Sequence, residues 1–141
     1  MKKAKKYYII LGVIQIVIAI CFIIAGIVIE SNIGDLLTSK LHFISNVSFS
    51  AFIIPDHFIL AFHGFGNLIC ALISFQRYNI ASYLGMFFGT TLILWFIFQI
   101  IRVGLISFLQ PLFLVIGIIE IVLSISIYRK RRKYYDQMLY H

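Results

Sequence analysis

The chain has 141 residues, of which 62% are hydrophobic and only 12% are charged, and its formal net charge is +7. A soluble domain of this size needs about a quarter of its residues charged to cover its surface, so the composition excludes an ordinary water-soluble domain. Four apolar segments are each long enough to cross a hydrocarbon layer of about 30 Å. We therefore expect an all-α membrane protein in which residues 1–141 form one domain, a four-transmembrane-helix antiparallel bundle.

The predicted spans cover residues 7–29, 56–75, 81–101 and 107–128, with an outer loop at 30–54 and a basic tail at 129–141. The first span follows the basic sequence MKKAKK, which is also how a signal peptide begins. Its apolar run is much longer than the core of about 7–15 residues in a signal peptide, and no A-x-A cleavage site follows it. We expect this span to be retained.

Positive charge is distributed unequally between the two sides of this arrangement. Ten Lys and Arg residues lie on the side of the termini, and only Lys40 and Arg102 lie on the other. The ten are Lys2, Lys3, Lys5, Lys6, Arg77, Arg129, Lys130, Arg131, Arg132 and Lys133. This asymmetry follows the positive-inside rule and predicts a multi-pass protein of the cell (inner) membrane with both termini in the cytoplasm.

The basic run at 129–133 has two interpretations. It can serve as an orientation signal, and it can also attract anionic lipid headgroups at about 1 kcal/mol per residue. Its members are Arg129, Lys130, Arg131, Arg132 and Lys133. RNA binding would need aromatic platforms on a folded module, for which the chain has no length left. We therefore expect the lipid bilayer, and not nucleic acid, as a partner.

The outer loop is the one long connection in the predicted topology. Connections of this length usually act as lids or binding loops, so the loop is either functional or a spacer. Pro55 opens the second span, and Asp56 in the first turn complements the helix dipole. His57 and His63 are six residues apart, about 120° off a common helix face, so we expect no shared metal ion.

Small residues mark the helix faces that should pack inside the bundle. Gly85 and Gly89 form a G-x-x-x-G motif in the third span, and Gly117 precedes Glu120 by three residues in the fourth. Such residues let helix backbones approach closely within a membrane. Comparable stripes run along the first two spans.

Glu120 is the carboxylate that lies deep inside an apolar segment. A carboxylate at a span centre costs about 2.5–3.5 kcal/mol on insertion scales, so it faces the bundle interior and finds partners. Counted from the cytoplasmic ends, every span has a polar residue at about this depth. We predict a buried polar layer in which Gln15 and Asn67 donate amide N–H groups to Glu120 and a hydroxyl of Thr90 or Thr91 completes the set. The layer either fixes helix register or binds a ligand, proton or cation.

A second polar group is predicted at the outer end of the bundle, where it would form a cap with one positive charge. This outer mouth consists of Trp95, Gln99, Arg102, Gln110, Asp56 and His57.

Common catalytic signatures are missing from the sequence: there is no G-x-S-x-G, H-E-x-x-H, P-loop or dinucleotide fingerprint. A membrane-embedded enzyme would need at least two convergent acid–base groups. Cys21 and Cys70 are predicted to differ in depth by about 13 Å, which is too far for a disulfide. We expect no enzymatic activity and no cofactor.

Three motifs stand out in the second half of the chain: Trp95 and Gln99 of a W-x-x-x-Q helix end, residues 107–111 of S-F-L-Q-P, and Gly117 and Glu120 of a G-x-x-E helix. With these motifs the stretch from about residue 45 to 125 resembles a family of small bacterial four-span membrane proteins. In that family a glycine follows the proline of the second span, whereas this chain has Asp56. The architecture is similar to DoxX-like four-span bundles, and the resemblance implies a fold but no activity.

Two functions remain open at this point. The first is a non-enzymatic bundle that binds a partner protein or an apolar or lipid ligand, and the second is a small transporter or permeation subunit that uses Glu120, as a homo-oligomer. Small multidrug transporters also have four spans and one membrane glutamate, but theirs lies in the first span, where this chain has Gln15. Transport requires a hydrated cavity that reaches Glu120, and a binding role requires a dry layer there.

Overall fold

Four helices account for nearly all of the chain that the computed structural model describes, which is residues 2–30, 53–105 and 108–139. The helices are α1 (Lys2–Glu30), α2 (Ile53–Phe75), α3 (Ala81–Val103) and α4 (Leu109–Leu139). All four are long and apolar enough to cross a membrane. The predicted fold class, an all-α four-helix bundle, is therefore confirmed. Most of the outer loop lies outside the described residues.

The helices are arranged as two closely packed pairs. α1 packs mainly against α2 and α3 packs mainly against α4, with looser contact between α1 and α4 and between α2 and α3. Glycine makes the close approach of α1 and α2 possible, because a Cβ on Gly64 would lie 3.0 Å from Ile23 Cγ1. Each pair thus packs as one unit, and the contacts between the two pairs fix their arrangement in the bundle.

Two apolar clusters fill the interior. Near the termini the first contains the buried residues Tyr8, Leu11, Ala81 and Ile127. Farther along the bundle the second contains Ile18, Phe22, Leu92 and Phe96. On α1 the polar side chain of Gln15 is buried between Leu11 and Ile18, so a polar level separates the two apolar clusters.

Large apolar side chains also cover the outside of the bundle. On α1, Val13 and Val17 are each 50% exposed and Ile24 is 55% exposed. In water such a surface would be unfavourable, but lipid chains are as apolar as these side chains. The outward-facing hydrophobic surface is what a multi-pass membrane protein requires.

Distinct backbone features end α2 and α3. Arg77 has a φ of 59°, in the left-handed region, and the N–H of Tyr78 donates to the carbonyl of Ile73 at 3.2 Å. Gly104 has a φ of 84°, and its N–H donates to the carbonyl of Ile100 at 2.9 Å. Both satisfy carbonyl groups that the last helical turn leaves open.

Helix α4 is longer than the span predicted from the sequence. It does not end near Tyr128 but continues through the basic run to Leu139, and its 31 residues correspond to about 46 Å. Lys130 Nζ lies 3.5 Å from the centroid of the Tyr7 ring, and Arg131 Nη1 donates to the carbonyl of Asn79 at 3.0 Å. These contacts hold the extension against the bundle.

Candidate functional site: a buried polar layer

Glu120 is fully buried and is reached by a chain of hydrogen bonds from two other helices. Gln15 Nε2 on α1 donates to Glu120 Oε1 at 3.0 Å, as the sequence predicts. Ser74 Oγ on α2 donates to Gln15 Oε1 at 2.8 Å. Gln15, Ser74 and Glu120 have no exposed surface. The three side chains therefore connect α2, α1 and α4 through the interior.

The bond between Gln15 and Glu120 joins the two helix pairs. Gln15 belongs to the α1–α2 pair and Glu120 to the α3–α4 pair. Apart from this bond, α1 and α4 pack less closely than the two helices within each pair. One turn farther along α4, Ser124 Oγ donates to the carbonyl of Glu120 at 2.7 Å. The polar layer acts as a cross-link between two units.

Two buried acceptors of the interior have no hydrogen-bond partner, one in the layer and one on α2 outside it. Glu120 Oε2 and Asn67 Oδ1 are buried without a hydrogen-bond partner. An unpaired buried acceptor costs about 1–3 kcal/mol, so these atoms are the places where a donor from outside the chain would gain most.

Asn67 does not join Glu120, which corrects the prediction. Its Nδ2 donates to the carbonyl of His63 at 3.0 Å and lies 3.4 Å from His63 Nδ1, one turn away on α2. The reason is axial stagger: Phe75, the last residue of α2, packs against Gly12, five residues beyond the predicted start of the first span at Tyr7. A depth counted from the helix end therefore places Asn67 about 7 Å too close to the termini.

Thr90 and Thr91 do not complete the layer either. Thr90 is exposed, and its hydroxyl donates to the carbonyl of Met86 at 2.7 Å. Thr91 is half-buried, and its hydroxyl donates to the carbonyl of Phe88 at 3.0 Å. Both satisfy themselves within α3, as threonine commonly does in helices. Glycines occupy the interior face of α3 instead, where Gly89 adjoins Glu120.

Ser74 belongs to the layer in the structure but was not among the residues predicted for it. It lies on the small-residue stripe of α2, seven residues after Asn67, which was the available signal. Ser74 is the next-to-last residue of α2, so a layer predicted by counting residues inward from the helix ends did not include it. Each Cβ tilts toward the N-terminus of its own helix, so the side chains of two antiparallel helices lean in opposite directions along the bundle axis, and this allows Ser74 and Gln15 to meet.

Beyond the polar layer the interior is aromatic. The Phe22 ring lies 5.1 Å from the His63 ring and 5.5 Å from the Phe113 ring, and the rings of Phe96 and Phe113 stack at 5.1 Å. His63 is 1% exposed, and its neighbours are aromatic rings and Asn67. Among the residues described, no group of three or more His, Cys, Asp or Glu comes together.

The residues of the predicted outer mouth that the structure describes differ in how deeply their side chains are buried. Gln110 is buried, whereas Arg102 is exposed and lies 5.6 Å from the centroid of the Phe98 ring on its own helix. Trp95 packs against the second apolar cluster, and Gln99 is half-buried. Asp56 and His57 belong to the first turn of α2, and their side chains lie outside the described part of the structure.

Cys21 and Cys70 are both free thiols. Cys21 is exposed on α1, whereas Cys70 is buried on α2 between Asn67 and Ser74, at 2% exposure. Cys70 is therefore a native probe within the layer.

The fold and the site together define a class, an all-α multi-pass membrane protein whose two helix pairs are joined by a buried polar layer. Comparison with known proteins adds no narrower class, because no family model, no curated protein and no solved structure matches this chain. The resemblance to DoxX-like bundles stays a prediction.

Proposed function

We propose that the protein is a non-enzymatic component of the cell inner membrane, with both termini in the cytoplasm, whose helical bundle binds a membrane-protein partner or an apolar ligand. The observation that carries this proposal is the complete burial of Gln15, Ser74 and Glu120. A transport pathway through this layer would need water at Glu120. A side chain with no exposed surface touches no water-sized space, so the layer suits a structural lock that fixes helix register.

The binding surface that we propose lies along the looser contact between α2 and α3. The rings of Phe58 and Phe62 stack at 6.1 Å, and the Phe62 ring lies 6.2 Å from that of Phe87. Phe58 is 71% exposed and Phe87 is 53% exposed. Rings presented beside a loosely packed helix contact offer large contact area with little loss of side-chain entropy.

Transport remains the second candidate because of one observation. Glu120 Oε2 has no hydrogen-bond partner, and intramembrane carboxylates are often ion or proton sites. In this alternative the two helix pairs would separate at the Gln15–Glu120 bond and admit a proton or small cation. A homo-oligomer could then supply the second wall of a pathway.

The native thiol Cys70 distinguishes a dry layer from a hydrated one. In a Cys21→Ser background reconstituted in vesicles of phosphatidylcholine, we expect a membrane-impermeant maleimide to leave Cys70 unlabelled until the protein is unfolded in sodium dodecyl sulfate. As a control for reagent access, the double variant Cys21→Ser, Cys70→Ser receives Arg132→Cys at an exposed position and should be labelled rapidly. Rapid labelling of Cys70 in the folded protein would favour transport.

A separate experiment tests binding itself. The tagged full-length chain is purified from membranes in mild detergent, and the proteins and lipids that accompany it are identified by mass spectrometry. We expect Phe58→Ala, Phe87→Ala to lose a retained partner or ligand, while the matched change Val13→Ala, Ile24→Ala on the outer face of α1 retains it. Equal retention by both variants would exclude the α2–α3 surface as the binding site.

A further inference from the structure

The five basic residues of the α4 extension divide into two groups in the structure. Lys130 contacts the Tyr7 ring, and Arg131 donates to the Asn79 carbonyl and lies 5.5 Å from the centroid of the Tyr135 ring. Lys130 is exposed as well, but the other three, Arg129, Arg132 and Lys133, are exposed and make no side-chain hydrogen bond or ring contact within the described residues. Two of the five therefore hold the extension in place, and three are directed away from the bundle.

The three exposed residues share one face of the helix. Their spacing is i, i+3 and i+4, which places side chains next to each other on a helix surface. Because Lys130 and Arg131 fix the rotation of α4 relative to α1 and to the α2–α3 turn, this face keeps a constant direction. The three positive charges are thus presented together.

Helix geometry places this face at the level of lipid phosphates. The 20 residues from 109 to 128 rise about 30 Å, which matches the hydrocarbon thickness, and the next five rise about 7 Å. The polar headgroup region is about 5–7 Å thick on each side of the hydrocarbon core. Residues 129–133 therefore occupy the headgroup layer, where a soluble polyanion has less access than a phospholipid.

Charge complementarity selects an anionic headgroup. Asp136, four residues after Arg132 on the same helix face, is exposed and reduces the charge of this face from +3 to +2, so the face remains positive. Arginine presents a planar set of N–H donors that matches two phosphate oxygens, and lysine adds a point charge. Two arginines and one lysine on a fixed face suit a single phosphate group.

We propose that Arg129, Arg132 and Lys133 form a binding site for the phosphate of an anionic phospholipid in the leaflet next to the termini. Lys130 and Arg131 are positioning residues that hold this face at headgroup depth. The inference rests on the placement of the bundle in a membrane and not on what its helices bind.

The test measures lipid binding to the purified full-length chain by native mass spectrometry. The protein in detergent is mixed with equal amounts of phosphatidylglycerol and phosphatidylcholine, and the ratio of the two bound forms is recorded. Because charge-assisted hydrogen bonds to one phosphate would be lost, we expect Arg129→Gln, Arg132→Gln, Lys133→Gln to reduce the preference for phosphatidylglycerol at least about tenfold.

A control variant with the same loss of charge separates a built site from general attraction. Lys5→Gln, Lys6→Gln, Arg77→Gln removes three exposed positive charges at the same end of the bundle. General attraction would make this variant lose as much preference as the first, whereas a phosphate site built on one face of α4 predicts a change within about twofold. Circular dichroism melts must show that both variants stay folded. Equal losses in the two variants, or no loss in the first, would overturn the proposal.

The source of the phosphate is tested in the same instrument. Inorganic phosphate and glycerol phosphate, added in large excess, should not displace bound phosphatidylglycerol, because the acyl chains hold the headgroup at the site. Displacement by free phosphate would show that the face binds a soluble anion, which contradicts a lipid site. Neither result depends on whether the α2–α3 surface binds a partner.

Discussion

Gly89 of α3 and Gly117 of α4 face each other so closely that a Cβ on Gly89 would lie 3.0 Å from the carbonyl oxygen of Gly117. A Cβ on Gly117 would in turn lie 3.2 Å from the carbonyl oxygen of Gly89. The two helices therefore pack backbone to backbone at this point. Glu120, one turn beyond Gly117, is held against the interior by the same contact, since a Cβ on Gly89 would also lie 3.4 Å from Glu120 Cβ.

Adding one methyl group at Gly89 should destabilise the bundle. Gly89→Ala has no space because backbone of α4 lies against it, and we expect a loss of about 1–3 kcal/mol in the free energy of unfolding. The control is Gly26→Ala, where a Cβ would make an ordinary contact of 3.9 Å with Leu60. That variant should gain up to about 1 kcal/mol from helix propensity. Reversible unfolding in mixed micelles measures both, and changes of the same sign would contradict the close α3–α4 contact.

The hydrogen bond between Gln15 and Glu120 should appear as non-additivity in a double-mutant cycle. Gln15→Leu and Glu120→Leu each leave a buried polar group without its partner, which costs about 1–3 kcal/mol. The double variant should cost less than the sum of the two by about 0.6–1.7 kcal/mol. Thr90→Val paired with Glu120→Leu is the control and should be additive within about 0.5 kcal/mol. An additive result for Gln15 and Glu120 would argue against the cross-link.

Ser74 and the two threonines should respond differently to loss of their hydroxyl groups. Ser74→Ala removes the donor to Gln15 Oε1 in the interior and should lower the free energy of unfolding by about 1–3 kcal/mol. Thr90→Val and Thr91→Val remove bonds to carbonyls of their own helix, which already have backbone donors, so changes within about 0.5 kcal/mol are expected. Thermal melts followed by circular dichroism in detergent compare the three. A larger effect at either threonine than at Ser74 would support the prediction from sequence that a threonine hydroxyl completes the layer.

Arg77 occupies a backbone conformation that suits glycine, so Arg77→Gly should stabilise the protein. Its φ is 59°, and replacing a left-handed non-glycine residue by glycine relieves about 1 kcal/mol. Arg77→Ala removes the same charge but keeps the side chain's Cβ, and therefore should give no gain. The comparison is made by unfolding in mixed micelles. A gain in both variants would assign the effect to charge and not to the backbone.

The class of protein and its central residue, Glu120, could be predicted from segment lengths and residue types alone. Lengths and composition of the apolar segments follow from the thickness of a bilayer, and this requirement acts on each helix separately. The positions of Gln15 and Glu120 on interior stripes could be predicted for a similar reason, because a polar side chain in a membrane helix avoids lipid.

The shift of the helices along their axes could not be predicted in this way, because it depends on contacts in the folded bundle. Phe75 contacts Gly12, and in this register Ser74 lies beside Gln15, while Asn67 lies away from Glu120 and bonds to His63 on its own helix. Hydrophobic length tolerates a shift of several residues at small cost, whereas interlocking side chains fix one register. The partners within the polar layer therefore depend on contacts between helices, which no single segment of the sequence specifies.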